Sequence, residues 1–510
     1  MSAIPWLSLL WLAPALGAVL LVLGRGWGAR TITAIATLAP LGIVAVIATG
    51  FDATSPGAGG DRYQFIESQP WIPALGARYT LGLDGIGLAL IALTAALTPL
   101  LVLAARHSRG AIALLLTTEA MALAAFTALD VLLFYVLFEA MLIPLYFLLA
   151  QRGRATARDD ERAARTTAAG RFLLYNLFGG LVMLAAVIGL YAAAARQGLP
   201  TFDLRTLASA VETGNLELDP ALANLLFLGF FLAFAIKAPL WPFHTWLPDA
   251  AKHATPTAAI MMMAIVDKVG TFAMLRYCLT LFPDASATFA PVIIGLAVTS
   301  ILYGAILALA QTDLIRLIAY ASISHFGFII LGIFAMTSQS QAGATLYMVN
   351  HGLATAALML AAGYLIHRRG SRAIADYGGV QKVAPLLAGS FLIAGLATLS
   401  LPGLAPFVSE FLVLIGTYGP YPVAAILASG ALVLAALYVL WTYQRIMTGP
   451  ITSHTATLPD LRRREAAAIA PLLAALIVLG AYPAPLLDAI TPAVAHTTSA
   501  PTGLEAGGER

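Results

Sequence analysis

Phe234-Ala235-Ile236-Lys237-Ala238-Pro239-Leu240-Trp241-Pro242-Phe243-His244-Thr245-Trp246-Leu247-Pro248-Asp249-Ala250 reads as a membrane helix broken at depth. The apolar run 221–247 is long enough to cross a hydrocarbon core of ~30 Å, for which about 20 residues suffice. Pro239 and Pro242 interrupt it, because proline removes a backbone donor and clashes with the preceding turn. Irregular backbone at that depth survives only where protein or a water-filled cavity surrounds it. Lys237 stands just before the break. The chain holds four lysines against 24 arginines, and two of the four, Lys237 and Lys268, lie inside apolar runs. A cation at membrane depth costs roughly 2.5 kcal/mol or more, which makes it a functional site by default. Lysine changes its protonation readily when desolvated, whereas arginine stays charged. The pattern points to proton movement.

The rest of the chain fits a polytopic, all-α membrane protein. It is 60% hydrophobic and 10% charged over 510 residues, with a mean hydropathy of +0.87; a soluble domain carries about 25% charged residues. Fourteen apolar runs are predicted as spans: 4–24, 31–50, 83–105, 111–128, 131–150, 170–195, 221–247, 255–281, 287–310, 314–336, 342–366, 384–416, 421–447 and 467–490. The first lacks a basic leader and a small-residue cleavage site, so it reads as a permanent helix. The run 384–416 contains Leu401-Pro402-Gly403 and Ala405-Pro406 and reads as a second broken helix. Spans 7 and 12 are thus both broken, and an offset of five reverses direction across the bilayer. Paired broken helices point to inverted repeats with the functional site near the breaks. The expected organisation is 1–110 for spans 1–3, 111–282 for the first five-helix repeat (spans 4–8), 283–449 for the second (spans 9–13), and 450–510 for span 14 and the tail.

Of the 28 Lys and Arg residues, 20 fall in odd-numbered gaps and five in even-numbered gaps or the C-terminal tail; Lys237, Lys268 and Arg276 are the three within spans. The positive-inside rule then puts the odd gaps in the cytoplasm and both termini outside. The net charge of +3 is too dispersed to suggest nucleic acid, and the single cysteine, Cys278, excludes a disulfide framework or a Cys-ligated cluster built by this chain alone. No G-x-G-x-x-G behind a strand, no P-loop and no metal-spaced Cys/His cluster occurs. The gaps are too short for a nucleotide-binding domain. The chain is expected to hold no cofactor and to draw on an ion gradient or a partner subunit.

Six ionisable residues sit inside predicted spans and form the candidate site: Glu139 in span 5, Lys237 before the span 7 break, Lys268 in span 8, His325 in span 10, His351 in span 11 and Glu410 after the span 12 break. Burial favours the neutral form of both lysine and glutamate, and a neighbouring opposite charge reverses both effects. A Glu139–Lys237 pair therefore makes a two-state switch, and histidine suits relay positions between such groups. His244 reads equally as a packing residue. Asp313 and Arg316 read as a helix cap and a cytoplasmic anchor, Met261-Met262-Met263 as packing, and the basic clusters 152–171 and 462–464 as topology anchors. Glu119 and Asp267 are open; Asp267 lies about 100° around the helix from Lys268 and need not pair with it.

Four segments together resemble one family. They are Ala128-Leu129-Asp130 leading to Phe134-Tyr135 and Phe138-Glu139; Lys237-Ala238-Pro239-Leu240-Trp241-Pro242-Phe243-His244-Thr245-Trp246-Leu247-Pro248-Asp249-Ala250; Arg316-Leu317-Ile318-Ala319-Tyr320-Ala321-Ser322-Ile323-Ser324-His325; and Leu401-Pro402-Gly403 leading to Phe407-Val408-Ser409-Glu410-Phe411. The chain resembles the M-type (chain 4) antiporter-like subunits of proton-pumping NADH:quinone oxidoreductase, respiratory complex I, from about span 3 to span 13. Glu410 favours the M type, since L and N subunits and Mrp-type antiporter subunits typically carry lysine there; the end of the chain soon after span 14 agrees. The resemblance implies a fourteen-helix inverted-repeat fold in the membrane arm of a bacterial plasma-membrane complex, beside L- and N-type neighbours. It implies a Glu139–Lys237 ion pair, Lys268 as central relay, His325 and His351 as connectors and Glu410 as terminal site, with protons pumped outward. FMN, iron–sulfur clusters and quinone would belong to partner subunits. Two positions depart from the pattern: Ile315 stands where many relatives have lysine, and Asp267 where they often have an apolar residue. An Mrp-type sodium/proton antiporter subunit and the equivalent subunit of a membrane-bound hydrogenase are the alternatives.

Overall fold

The computed structural model describes residues 4–24, 28–53, 62–105, 107–151 and 159–498. Of the residues used above to fix topology, Arg25, Arg106, Arg152, Arg154, Arg158 and Arg510 lie outside this set. Thirteen described helices are long and apolar enough to cross a membrane. Their burial sorts them into layers. The apolar stretches of Pro256–Leu281 and Leu314–Phe334 are wholly buried and that of Ser338–Arg369 nearly so, whereas only a third of the apolar stretch of Pro422–Met447 and of Trp6–Leu23 is covered. The uncovered faces carry Leu174, Leu225, Val423 and Val433, each more than 60% exposed, which is the surface a lipid-facing helix needs.

Both expected breaks are present. Pro220–Lys237 ends at the lysine, residues 238–245 form turns including a cis Trp241–Pro242 bond, and Trp246–His253 resumes the helix. The carbonyl of Ile236, near that helix end, accepts a bond from Trp246 Nε1 at 3.0 Å. The second broken run consists of Pro385–Thr398 and Ala405–Tyr418. Asn350 Nδ2 donates to the Ala405 carbonyl at 2.7 Å, tying the second half to the Ser338–Arg369 helix. The first bond satisfies a carbonyl that the break leaves without a helical partner.

Several expectations need correction. The fold is helical but not purely so: Gln64–Ile72 and Ala77–Leu83 pair as an antiparallel hairpin inside the second predicted gap, burying Leu81 and Leu83. A short amphipathic helix, Leu204–Glu212, occupies the sixth gap, with Leu204 and Leu207 buried. The predicted span 467–490 is two helices, Arg463–Ala481 and Ala484–Thr498. Pro483 accounts for that break, because it restricts the preceding residue and cannot donate. The helices predicted at 170–195 and 342–366 run longer, over Asp159–Arg196 and Ser338–Arg369. Their polar ends lie outside the apolar runs, yet a helix continues past the hydrocarbon as long as its backbone bonds do.

Acidic caps set several helix starts. Asp84, Asp130, Asp203 and Asp313 each accept backbone N–H bonds at the N-terminus of the following helix. Asp313 thus does act as the expected cap, and Arg316 donates to Asp249 Oδ1 at 3.2 Å.

Candidate functional site

The Glu139 segment is two helices, Val131–Ala140 and Leu142–Ala150, meeting at Met141. Pro144 explains the interruption, since it lacks the N–H that would bond the Ala140 carbonyl. Phe138 and Glu139 sit at this joint. Lys237 Nζ donates to the Phe138 carbonyl at 2.7 Å and lies 3.5 Å from the centroid of the Phe138 ring. The expected Glu139–Lys237 ion pair is not formed: among the described residues, neither Glu139 carboxylate oxygen has a hydrogen-bond partner. The carboxylate packs instead on the Asp159–Arg196 helix, where a Cβ at Gly180 would lie 1.9 Å from Glu139 Oε1. The Phe138 carbonyl and the aromatic face together satisfy the ammonium without the carboxylate. The two groups remain within Coulombic range of one another.

Lys268 lies in Pro256–Leu281, which widens into π-helical turns at Met261–Val266 and Met274–Cys278. Such turns occur frequently at functional sites. Lys268 Nζ donates to the Met263 carbonyl in the first of them at 2.6 Å and to His351 Nδ1 at 2.6 Å. The Met261-Met262-Met263 run is therefore buried packing, as expected, but its backbone also holds the lysine.

Beyond His351 the line continues. His351 Nε2 meets Ser322 Oγ at 2.9 Å and Thr355 Oγ1 at 3.1 Å. The His325 and His351 rings are 5.3 Å apart between centroids. His325 Nδ1 bonds the Tyr347 hydroxyl at 2.7 Å, and Tyr347 donates to Glu410 Oε2 at 3.2 Å. Ser400 Oγ, in the break between Pro385–Thr398 and Ala405–Tyr418, donates to the same carboxylate oxygen. A cavity with about 10 Å³ of room for water centres is lined by His325, Tyr347, His351, Thr355, Thr398 and Pro406. That is the size of one water beside five polar side chains.

Five of the six predicted residues, all but Glu139, thus lie fully within the core. Lys268, His351, His325 and Glu410 form one connected group; Lys237 and Glu139 form a second at the break of Pro220–Lys237. His244 is buried in that break with its ring 5.1 Å from Tyr303, and its Nδ1 has no described partner. It joins neither group. Among the described residues no cluster of His, Cys, Asp and Glu has the arrangement of a metal site.

Sequence reading missed Tyr347, Ser322, Thr355 and Ser400. Tyr347, His351 and Thr355 recur at intervals of four along one helix, a polar stripe in an otherwise apolar run, and that spacing would have found them. A buried ion pair was also missed. Arg276 Nη2 lies 2.7 Å from Asp84 Oδ1, with the guanidinium over the Tyr63 and Phe272 rings at 4.8 Å each.

Residues 128–435 match the family described as NADH:quinone oxidoreductase/Mrp antiporter, TM. The chain is 53% identical to NADH-quinone oxidoreductase subunit M of Mycobacterium tuberculosis, covering 98% of this chain and 94% of that protein. It is 36% identical to subunit M of Rhodobacter capsulatus over 94% of each. Among solved structures it superimposes on a chain of respiratory complex I from Thermus thermophilus with a TM-score of 0.85 and 34% identity, covering 96% of this chain and 99% of that one. A chain of the Mrp complex from Dietzia shares the fold, with a TM-score of 0.82 at 22% identity over 99% of each. An M-type sequence through its whole length, carrying its polar residues at the breaks and along the buried helices, places this chain in the subunit M family of NADH-quinone oxidoreductase.

Proposed function

We propose that this chain is the proton-translocating, antiporter-like membrane-arm subunit of a bacterial plasma-membrane NADH-quinone oxidoreductase. Protons pass along Glu139 and Lys237, then Lys268, His351, His325 and Glu410, with Tyr347 as an added link. The observation that carries this reading is the polar line from Lys268 to Glu410, in which Lys268 bonds His351, His325 bonds Tyr347 and Tyr347 bonds Glu410, with the two histidine rings 5.3 Å apart. It runs through four helices whose other buried residues are mainly apolar. Buried ionisable groups are costly, and a connected series of them is the usual mark of an ion path. The one-water cavity beside the histidines supports it.

The chain acts as a translocase component without a redox centre of its own. FMN, iron–sulfur clusters and quinone belong to partner subunits, and L- and N-type antiporter-like subunits are its neighbours in the arm. Counting the two halves 385–398 and 405–418 as one crossing gives fourteen spans with both termini outside, divided at 1–110, 111–282, 283–449 and 450–510. Two matching details support the inverted repeats. Asp130 caps one helix and bridges to Asp203, while Asp313 caps the helix five spans later and bridges to Ala373.

The test is Lys237→Ala and Glu410→Gln in the purified complex reconstituted into vesicles. NADH-driven proton uptake is expected to fall by about 10²-fold or more, the range for loss of a positioned acid–base group, while the complex assembles. Wild-type uptake in both variants overturns the proposal.

A further inference from the structure

Between the two groups of the site stands a carboxylate that neither uses. Asp267 is fully buried, and neither of its oxygens has a hydrogen-bond partner among the described residues. Its helix packs on the break of Pro220–Lys237. A Cβ at Gly270 would lie 2.9 Å from the Phe234 carbonyl oxygen and 3.0 Å from Ala238 N, the residue after Lys237. Positions three apart share a helix face, so Asp267 stands on the same face as Gly270. Lys268 is the next residue, about 100° around the helix. Lys237 and Lys268 are also the two charged groups that act on Asp267 electrostatically. Lys237 itself is satisfied by the Phe138 carbonyl and Lys268 by Met263 and His351, so no direct bond joins the lysines.

We propose that Asp267 is a proton-carrying residue between Lys237 and Lys268, joining the two halves of the path. The inference rests on the proton-path reading above. The steps balance. The Lys237 ammonium gives a proton to the Asp267 carboxylate, leaving a neutral amine and a neutral carboxylic acid. The acid then gives its proton to the neutral Lys268 amine, regenerating the carboxylate and leaving an ammonium that already faces His351. The three groups together carry no net charge at any stage. A direct transfer without Asp267 would put a lone cation in the low-dielectric space between the lysines, with no counter-charge to offset its desolvation.

The test uses the assembled complex in vesicles with Asp267→Asn, Asp267→Glu and, as reference, Lys237→Ala and Glu410→Gln. Asparagine keeps the size and removes the titrating group. Its NADH-driven proton uptake is expected to fall by about tenfold, less than the 10²–10⁴-fold typical of a positioned acid–base group because water still allows slow passage; glutamate is expected to restore uptake. Redox-difference infrared spectra of the unmodified complex and of Asp267→Glu provide a reading that does not require the asparagine variant to assemble. A carboxylic C=O band that shifts between the two is expected, because a carboxyl that changes protonation gains or loses that band. Full uptake in Asp267→Asn, or identical infrared spectra, overturns the inference. If the Lys237 and Glu410 variants lose uptake while Asp267→Asn keeps it, only Asp267 is removed from the path; if those two also pump normally, the path itself falls.

Discussion

Tyr347→Phe separates a proton line from a merely buried polar cluster. The hydroxyl lies 2.7 Å from His325 Nδ1 and 3.2 Å from Glu410 Oε2, so one oxygen atom holds both bonds. Without it no single hydrogen bond spans the gap. Phenylalanine keeps the ring that packs on His325 and Phe328, at centroid distances of 5.8 Å and 6.2 Å. Glu410 also retains Ser400 as a donor. The cost to stability therefore falls mainly on His325, at about 1–2 kcal/mol for one orphaned buried group. The complex should assemble. Transport is another matter, since each 1.36 kcal/mol added to a barrier is about tenfold in rate. The lost oxygen adjoins the cavity that holds about one water, and a water entering there would bridge poorly rather than not at all. The expected fall in NADH-driven proton uptake is therefore about tenfold, short of the 10²–10⁴-fold for outright removal of an acid–base group. The assay is the initial rate of uptake into vesicles beside the NADH oxidation rate and the melting temperature of the purified complex. Undiminished uptake with the tyrosine gone would refute the connection from His325 to Glu410.

Two further outcomes follow from close contacts and charge pairing. Gly180→Ala puts a Cβ 1.9 Å from Glu139 Oε1, and the end of a side chain moves more cheaply than a helix. The carboxylate should swing away, lowering uptake with little change in melting temperature; unchanged uptake would show that Glu139 does not need its present position. Arg276→Met strands the Asp84 carboxylate in a site where the two partners are 3% and 9% exposed. Loss of one partner of such a pair costs about 3–5 kcal/mol. The added change Asp84→Asn should recover most of it in thermal unfolding of the complex, and no recovery would remove the pairing as the cause.

What was legible in the sequence was whatever the membrane forces onto single residues. Pro239, Pro242 and Pro402 announce their breaks, because a missing N–H is a local fact. Lys237, Lys268 and Glu410 announce themselves by cost. Partnership was less legible. The Glu139–Lys237 pair was inferred from charge, yet the Phe138 carbonyl and ring hold the ammonium, and the Pro144 joint that puts them there acts through backbone geometry. Tyr347 was passed over because an aromatic residue in an apolar helix reads as packing until its hydroxyl is seen between a histidine and a carboxylate. The hairpin Gln64–Ile72 and Ala77–Leu83 lay hidden in a gap because its apolar alternation is short and interrupted by Pro70 and Gly82.

The hydrogen bonds from Lys268 to Glu410 also carry a direction. An ammonium only donates, so His351 Nδ1 accepts from Lys268, and in a neutral ring Nε2 then carries the proton and donates to Ser322 or Thr355. At the other end an ionised Glu410 only accepts, so Tyr347 donates to it and must accept from His325 Nδ1. That leaves His325 Nε2 as an acceptor without a described partner, beside the cavity and the His351 ring. Each segment is thus oriented to pass a proton toward Glu410, and the line is open at one place only, between the two histidines. Protonating Glu410 turns its oxygen into a donor and allows the Tyr347 and His325 bonds to reverse. A single proton at Glu410 therefore resets the orientation of that segment, and the one-water cavity sits where a forward and a reversed segment would have to be joined.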